Sequence, residues 1–280
     1  MTDDAEEIVS RFYNTGGWEE DEEITEDARR WEDLREHARE YVGKCRLRVL
    51  RHVPEVGENF LDMASGPIQY REYLEYSKNY KKRYCVDLSS DALKSAKKKV
   101  GDHGVFLCGS FFDLSFEENF FDCTVSLHTI YHIDKDRQEE AVRKLVAVTK
   151  PGKPVIIVYS NPDTLVTTLV SLFPVIRWIK KFLKGSLRAS NDAPESELYF
   201  HPHPLAWWSR FNDIANLQLL PWRSFNAETQ QMLIPNNRLG SKLFRLLFKL
   251  EDRFPRFFVR HFQYPMIVLT KGSGHRDSGR

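Results

Sequence analysis

Two aspartates bracket the part of this chain best equipped to hold a small ligand. Asp62 opens the run Asp62-Met63-Ala64-Ser65-Gly66-Pro67. Small residues there let the backbone approach a bound molecule closely, and the helix expected next offers unpaired amides. Asp87 closes the following apolar run, RYCVDLS at 83–89. A carboxylate at that point can accept hydrogen bonds from both hydroxyls of a ribose. The bend lacks the G-x-G-x-x-G that cradles a pyrophosphate, and the chain lacks G-x-x-x-x-G-K-[ST]. NAD is therefore disfavoured and an ATP P-loop is absent.

A second group of residues suits proton transfer. His128 and His132 follow an apolar run and are the candidate general bases, histidine being the side chain fitted to that task near neutral pH. Each can equally serve as a structural hydrogen-bonder. Tyr131 stands between them. YFHPHPLAWW at 199–208 adds His201, His203 and Trp207, which read as an aromatic wall beside an acceptor or as plain packing. No third ligand at zinc spacing accompanies this histidine pair, so no metal is expected. Asp134 and Asp136, in DKDRQEE, read as helix-capping charges. Near the N-terminus, Tyr13 and Trp18 flank Gly16-Gly17, and Trp31 follows. These aromatics can cover a ligand as a lid, or Trp31 can simply pack on the body of the domain.

The elements that must position these groups alternate in type. Residues 25–50 read as a helix, with Trp31, Leu34, Ala38, Tyr41, Val42 and Cys45 on one apolar stripe. ENFLDMASG follows as the first strand, Ile68–Tyr76 as a helix and 83–89 as the second strand. SSDALKSAKKKV is a capped helix, HGVFLCGS the third strand, FFDCTVSLH (120–128) the fourth and KPVIIVYSN (153–161) the fifth. DKDRQEEAVRKLVAVT supplies the helix between the last two. Near-continuous apolar strands separated by helices predict an α/β, doubly wound, mostly parallel sheet. LQLLPWRSF and PMIVLTK are expected to complete it to about seven strands as an antiparallel closing pair. In such a sheet a ligand sits beyond the carboxyl ends of the strands.

At these residues the sequence resembles the class I S-adenosylmethionine (SAM)-dependent methyltransferases, in the small-molecule branch that includes the type 11 group. LDMASGP is similar to the family's first motif, VDLS to its second, GSFFDLSF to the adenine-binding third and FDCTVSLHTIYHI to its fourth, with KPGKPVIIV after them. The likeness runs over about 55–165, with five motifs in order. It implies a Rossmann-like fold with SAM as cofactor. It implies that Asp62, Ala64, Ser65 and Gly66 hold the amino-acid end, that Asp87 holds the ribose with Leu88 against the adenine, and that Ser110 and Phe111 flank the adenine edge. Leu127 and His128 would lie beneath the sulfonium. Ala64, Ile68 and Ser110 depart from the family pattern, which usually has glycine, glycine and aspartate there. The family often uses an N-terminal segment as a lid.

Composition narrows the setting. The 280 residues are 41% hydrophobic and 29% charged, with a formal net charge of +1, which argues against a dedicated nucleic-acid binder. The four cysteines show no C-x-x-C and read as reduced thiols. No secretory signal and no apolar run of about 18 residues is evident, so the expectation is a cytoplasmic protein. The charge is uneven: EEDEE at 19–23 makes the first part acidic, whereas the last part is rich in Lys and Arg. The expected parts are a lid region (1–50), a cofactor-binding core (51–162), a helical and aromatic acceptor-side insertion (163–215), closing strands with a basic amphipathic helix (216–271) and a disordered tail (272–280). Segments 164–184 and 241–262 interleave basic and large apolar residues. They suit a peripheral membrane contact or a lid over an apolar acceptor. The reading is a methyltransferase acting on O or N of a small-molecule or lipid-linked saccharide acceptor, with no nucleic acid and no obligate protein partner. A methyltransferase-like scaffold binding a membrane or protein, and an RNA or protein methyltransferase, are the alternatives.

Overall fold

The computed structural model describes residues 5–12, 20–21, 24–25, 32–165 and 199–272. Seven strands form one sheet: β1 (Gly57–Met63), β2 (Tyr80–Asp87), β3 (Gly104–Cys108), β4 (Cys123–Leu127), β5 (Pro154–Val158), β6 (Ala215–Arg223) and β7 (Tyr264–Lys271). Their order is β3-β2-β1-β4-β5-β7-β6, with β7 antiparallel to both neighbours and the other pairings parallel. This is the doubly wound α/β sheet expected, with its antiparallel closing pair. The reversal of strand order falls between β1 and β4, the crevice where such sheets bind ligands. Outside the sheet, Glu20–Asp21 and Ile24–Thr25 form a two-residue antiparallel pair.

Apolar clusters cover both faces. One gathers Leu61, Phe121, Ile130, Leu145, Ile157, Tyr159, Trp208 and Phe211. It is closed by helix α4 (Gln138–Val148) and a 3-10 helix over Leu205–Asp213. The other gathers Tyr41, Val42, Cys45, Phe60, Val125, Trp222 and Phe244 under helices α2 (Glu36–Leu47) and α6 (Arg238–Arg253). A smaller cluster of Ile68, Cys85, Leu93 and Ala96 seats α3 (Ser90–Val100). Among the described residues the remaining helices of more than one turn are α1 (Ala5–Phe12), α5 (Ala227–Leu233) and α7 (Pro255–His261). Ser89 caps α3 by accepting from the Ala92 amide, as its sequence position predicts.

Two elements differ from the sequence expectation. The helix expected over 25–50 is regular only across Glu36–Leu47, continued by a 3-10 turn at Arg48–Arg51, and 26–31 lie outside the described residues. The helix expected at Ile68–Tyr76 shrinks to one turn, Arg71–Leu74, and a 3-10 turn, Glu75–Ser77. Ile68 takes a φ of 52°, which a right-handed helix cannot contain. Tyr13, Trp18, Trp31 and the amphipathic run over 166–184 also lie outside the described residues, as do 273–280. All four cysteines are free thiols; Cys45, Cys85 and Cys123 are buried and Cys108 is exposed. Among the described residues no helix is long and apolar enough to cross a membrane.

Candidate active site

The bend after β1 is built from backbone conformations that side chains resist. Ala64, Gly66 and Ile68 alternate through left-handed φ values of 58°, 55° and 52°. Only glycine adopts these freely, and a β-branched residue there is strained. Burial of Ile68 against Cys85, Leu93 and Ala96 holds it in place. The bend is tied to β2 twice: the Ser65 amide donates to the Val86 carbonyl at 3.1 Å, and the Gly66 amide donates to Asp87 Oδ2 at 2.8 Å. Asp87 Oδ1 accepts from the Ser89 amide at 2.8 Å.

Asp87 therefore stands at the carboxyl end of β2 against the bend, where the sequence placed it. Burial outweighs its amide partners, and nearby Asp62 adds to the effect, so its carboxyl is pushed up to about 6. It is a carboxylate short of donors, and ribose hydroxyls are donors. Its oxygens accept from the Gly66 and Ser89 amides with the Leu88 amide beside them, and keep accepting capacity beyond these. Asp62 has a different set of partners. It is buried and ion-paired with Arg83, which also donates to the Tyr73 carbonyl at 2.6 Å and to Ser77 Oγ at 3.3 Å. Leu88 is half-buried beside Asp87.

After β3, Ser110 Oγ donates to Glu6 Oε1 on α1 at 2.8 Å and accepts from the Phe112 amide. The N-terminal helix thus reaches the point where an adenine edge is expected. Phe111 is buried and packs against Phe116 at 5.9 Å between ring centroids.

Leu127 ends β4, and His128 follows with a φ of 60°. Its Nδ1 shares a 3.1 Å hydrogen bond with Tyr131 Oη, and its ring meets Trp222 and Tyr264 edge-on at 4.7 and 5.4 Å. Burial, then the charges of Arg223 and Arg46, hold His128 well below the usual histidine range. His132 Nδ1 lies 2.6 Å from the Tyr199 carbonyl. A carbonyl only accepts, so Nδ1 carries the proton and Nε2 presents a lone pair. Burial lowers His132 to about 4, so both imidazoles are neutral near pH 7.

The chain at 199–203 is laced along this turn. The His201 amide donates to the Tyr131 carbonyl, Gln138 Nε2 donates to the His201 carbonyl, and the His203 amide donates to Tyr159 Oη. His201 is exposed, while His203 stacks on Trp207 at 4.6 Å. The structure thus brings together His128, Tyr131, His132 and the 199–203 segment. It sets Asp87 with Gly66 and Ser65, and sets Asp62 apart in its ion pair with Arg83.

Sequence reasoning passed over Arg46 and Arg223, two buried charges that act on His128, and Glu32, the half-buried carboxylate that both of them hold. A signal existed: Arg46 follows Ala38 and Val42 at four-residue spacing on the apolar stripe, and Arg223 directly follows the apolar run Leu219-Leu220-Pro221-Trp222. A charge at a core position is seldom idle.

Comparison with known proteins agrees with this architecture. The family model described as a methyltransferase domain matches residues 61–157. No curated protein matches the sequence. Among solved structures, the chain is similar to a SAM-dependent methyltransferase from Archaeoglobus fulgidus, with 14% identity, 83% of this chain and 94% of that one covered, and a TM-score of 0.52. It is similar to DhpI in complex with SAH at 12% identity, 96% of each chain and a TM-score of 0.55. It is also similar to the [4+2]-cyclase SpnF at 12% identity, 97% and 98% coverage and a TM-score of 0.52. At such identities these likenesses establish the fold. The matched domain takes in the strained bend, Asp87 and the turn at His128 in the order the sequence motifs require: residues 61–157 are a methyltransferase domain, with S-adenosylmethionine as its cofactor.

Proposed function

We propose that the chain transfers the SAM methyl group to an oxygen or nitrogen of a small-molecule acceptor, a class that includes saccharides carried on a lipid. When bound, SAM supplies an electrophilic methyl on a positively charged sulfur. The protein's own tasks are to hold the nucleoside, aim the acceptor and keep water out. Asp87 takes the ribose hydroxyls, and Ala64, Ser65 and Gly66 leave room for the methionine tail. Leu88, Ser110 and Phe111 border the adenine, and Leu127 underlies the reacting centre. The wall of His128, Tyr131, Trp222 and Tyr264 shapes the acceptor side.

The observation that carries this reading is the fixed tautomer of His132. With Nδ1–H held by the Tyr199 carbonyl, Nε2 is an acceptor throughout the neutral range and can take a proton from an acceptor hydroxyl or amine as the methyl arrives. His128, flanked by cations that oppose its protonation, is the poorer base and serves to position the acceptor. His201, His203 and Trp207 form the outer rim.

The face of α5, α6 and α7 supports a source for a lipid-linked acceptor. Met232, Leu233, Leu239, Leu246, Phe254 and Phe257 are each about half exposed or more among Arg238, Lys242, Arg245, Lys249 and Arg256. Such a surface suits shallow contact with an anionic bilayer. The test of the proposed function is methyl transfer from isotopically labelled SAM to pooled small-molecule, lipid, protein and RNA fractions. The reading predicts label in the small-molecule or lipid fraction. Label confined to protein or RNA would refute it.

A further inference from the structure

Two buried arginines meet beside His128 with more hydrogen-bonding capacity than their neighbours use. Arg46 on α2 is 6% exposed and Arg223 at the end of β6 is 4% exposed. Both grip one carboxylate: Arg46 Nη2 donates to Glu32 Oε1 at 3.1 Å, and Arg223 Nη1 donates to Glu32 Oε2 at 2.9 Å. Glu72 lies 3.7 Å from Arg46 Nη1, a charge contact too long for a hydrogen bond. The Nε–H of each arginine is buried and has no hydrogen-bond partner among the described residues. Buried Arg48 and Arg83 also leave their Nε–H unmet, so what sets this pair apart is the one carboxylate they share beside His128.

Their location is the acceptor side of the site. The Arg223 guanidinium lies 5.2 Å from the Trp222 ring and 4.7 Å from the Tyr264 ring, the two rings that His128 meets edge-on. The Arg46 guanidinium lies 3.3 Å over the Tyr70 ring, just after the bend. On the other side of Glu32, Asp33 pairs with Arg35, which donates to the Ile234 carbonyl at 2.6 Å and anchors this stretch.

We propose that Arg46 and Arg223 form an anion subsite of the cleft, which takes a carboxylate or phosphate of a bound ligand while Glu32 holds that place in the structure. The proposal deepens the reading of this cleft as the methyl-transfer site and rests on it. The grip is already that of a carboxylate clamp, one guanidinium to each oxygen. With Glu32 withdrawn, Glu72 is the one carboxylate among the described residues left in charge contact with the two arginines, so the pair carries a net positive charge that selects an anion. That anion belongs either to the acceptor or to the methionine end of the cofactor.

The experiment uses the full chain and its Glu32→Gln variant, with inorganic phosphate, S-adenosylhomocysteine and 5′-methylthioadenosine as probes. The last shares the nucleoside but has no carboxylate. Glu32→Gln leaves Arg223 without its carboxylate partner and Arg46 with Glu72 alone, and lowers the melting temperature; millimolar phosphate restores it by several degrees and leaves Arg223→Gln unmoved. If the cofactor supplies the anion, Glu32→Gln also binds S-adenosylhomocysteine about tenfold more tightly, on the scale of one charge-assisted hydrogen bond, with 5′-methylthioadenosine unchanged. If the acceptor supplies it, both nucleosides bind as to wild type while phosphate still rescues. Should Glu32→Gln fail to fold, Glu32→Asp replaces it, its shorter carboxylate being unable to span both arginines. The proposal is overturned if phosphate neither raises the melting temperature nor competes with any probe, and S-adenosylhomocysteine affinity is unchanged. Wild-type chain that binds no S-adenosylhomocysteine would instead defeat the methyl-transfer reading, and the phosphate rescue would still report on the clamp.

Discussion

Replacing Asp87 with alanine separates binding from folding. Burial moves its carboxyl from 3.8 to about 6, a difference of about 2 pH units, or about 3 kcal/mol set against the ionised form in the folded chain. Alanine removes that penalty but also leaves the Gly66 and Ser89 amides without their acceptor, so the two effects oppose and the variant should stay folded at pH 8 with a midpoint close to that of wild type. Cofactor binding should respond in the opposite direction. Two ribose hydroxyls donating to a charged acceptor contribute about 1.5–3 kcal/mol each, so their loss weakens binding by about 100-fold or more. The pH dependence gives a second arm. The free site titrates near 6, and hydroxyl donors lower that value in the complex by favouring the charged form. Affinity is therefore level above pH 6 and falls as pH drops through it, by about tenfold at pH 5. Calorimetric titration of S-adenosylhomocysteine into both proteins at pH 5 and pH 8, with melting curves alongside, reads all of this. Binding by Asp87→Ala within threefold of wild type, or a wild-type affinity unchanged between the two pH values, would refute the reasoning.

Ala64→Gly should raise stability by about 0.5–1 kcal/mol, because alanine at a φ of 58° carries strain that glycine does not; an unchanged or lower midpoint in urea would count against the strained bend. Glu251 is fully buried, where it accepts from Arg48 at 2.8 Å and from Tyr41 and Ser224, tying α6 to α2 and β6. Glu251→Gln leaves Arg48 without its buried counter-charge and should cost about 3–5 kcal/mol, read by denaturant unfolding. His132→Asn should lower kcat with little change in the KM for SAM, and equal losses in both would contradict its role as base. His132 is held neutral in the fold, at about 4 against an ordinary 6.5. Its contribution to stability is therefore complete above pH 6.5 and is lost as pH falls toward 4, by about 3 kcal/mol, a loss that His132→Asn should abolish. Flotation with vesicles rich in anionic lipid should carry the chain upward at low salt, and Leu239→Glu with Leu246→Glu should stop it; flotation by that double variant would exclude the α6 face.

The sheet was legible because its signals are local and reinforce one another. The apolar runs ending at Met63, Asp87, Leu127 and Val158 lie where strands lie, and the closing pair was visible as apolar runs on either side of the C-terminal helices. Asp87 was legible because a carboxylate at a strand end has one crevice to face. The bend was only half legible. Small residues announced a close approach, yet Ile68 read as the start of a helix, since nothing local shows that packing against Leu93 and Ala96 forces a left-handed isoleucine. The pairing of Asp62 with Arg83 was hidden because Arg83 follows Lys81 and Lys82 and reads as one more exposed cation, and the partnership exists only once β1 and β2 lie side by side. The clamp of Arg46, Glu32 and Arg223 joins residues nearly two hundred positions apart, beyond any pattern read along the chain.

The most direct test of the account is a crystal structure of the chain grown with S-adenosylhomocysteine. The account predicts both ribose hydroxyls within hydrogen-bonding distance of Asp87, the homocysteine tail over the bend at Ala64–Gly66, and the sulfur facing Leu127 and the turn at His128–His132. A ribose bound elsewhere, with Asp87 still bonded only to the amides of Gly66 and Ser89, would contradict it.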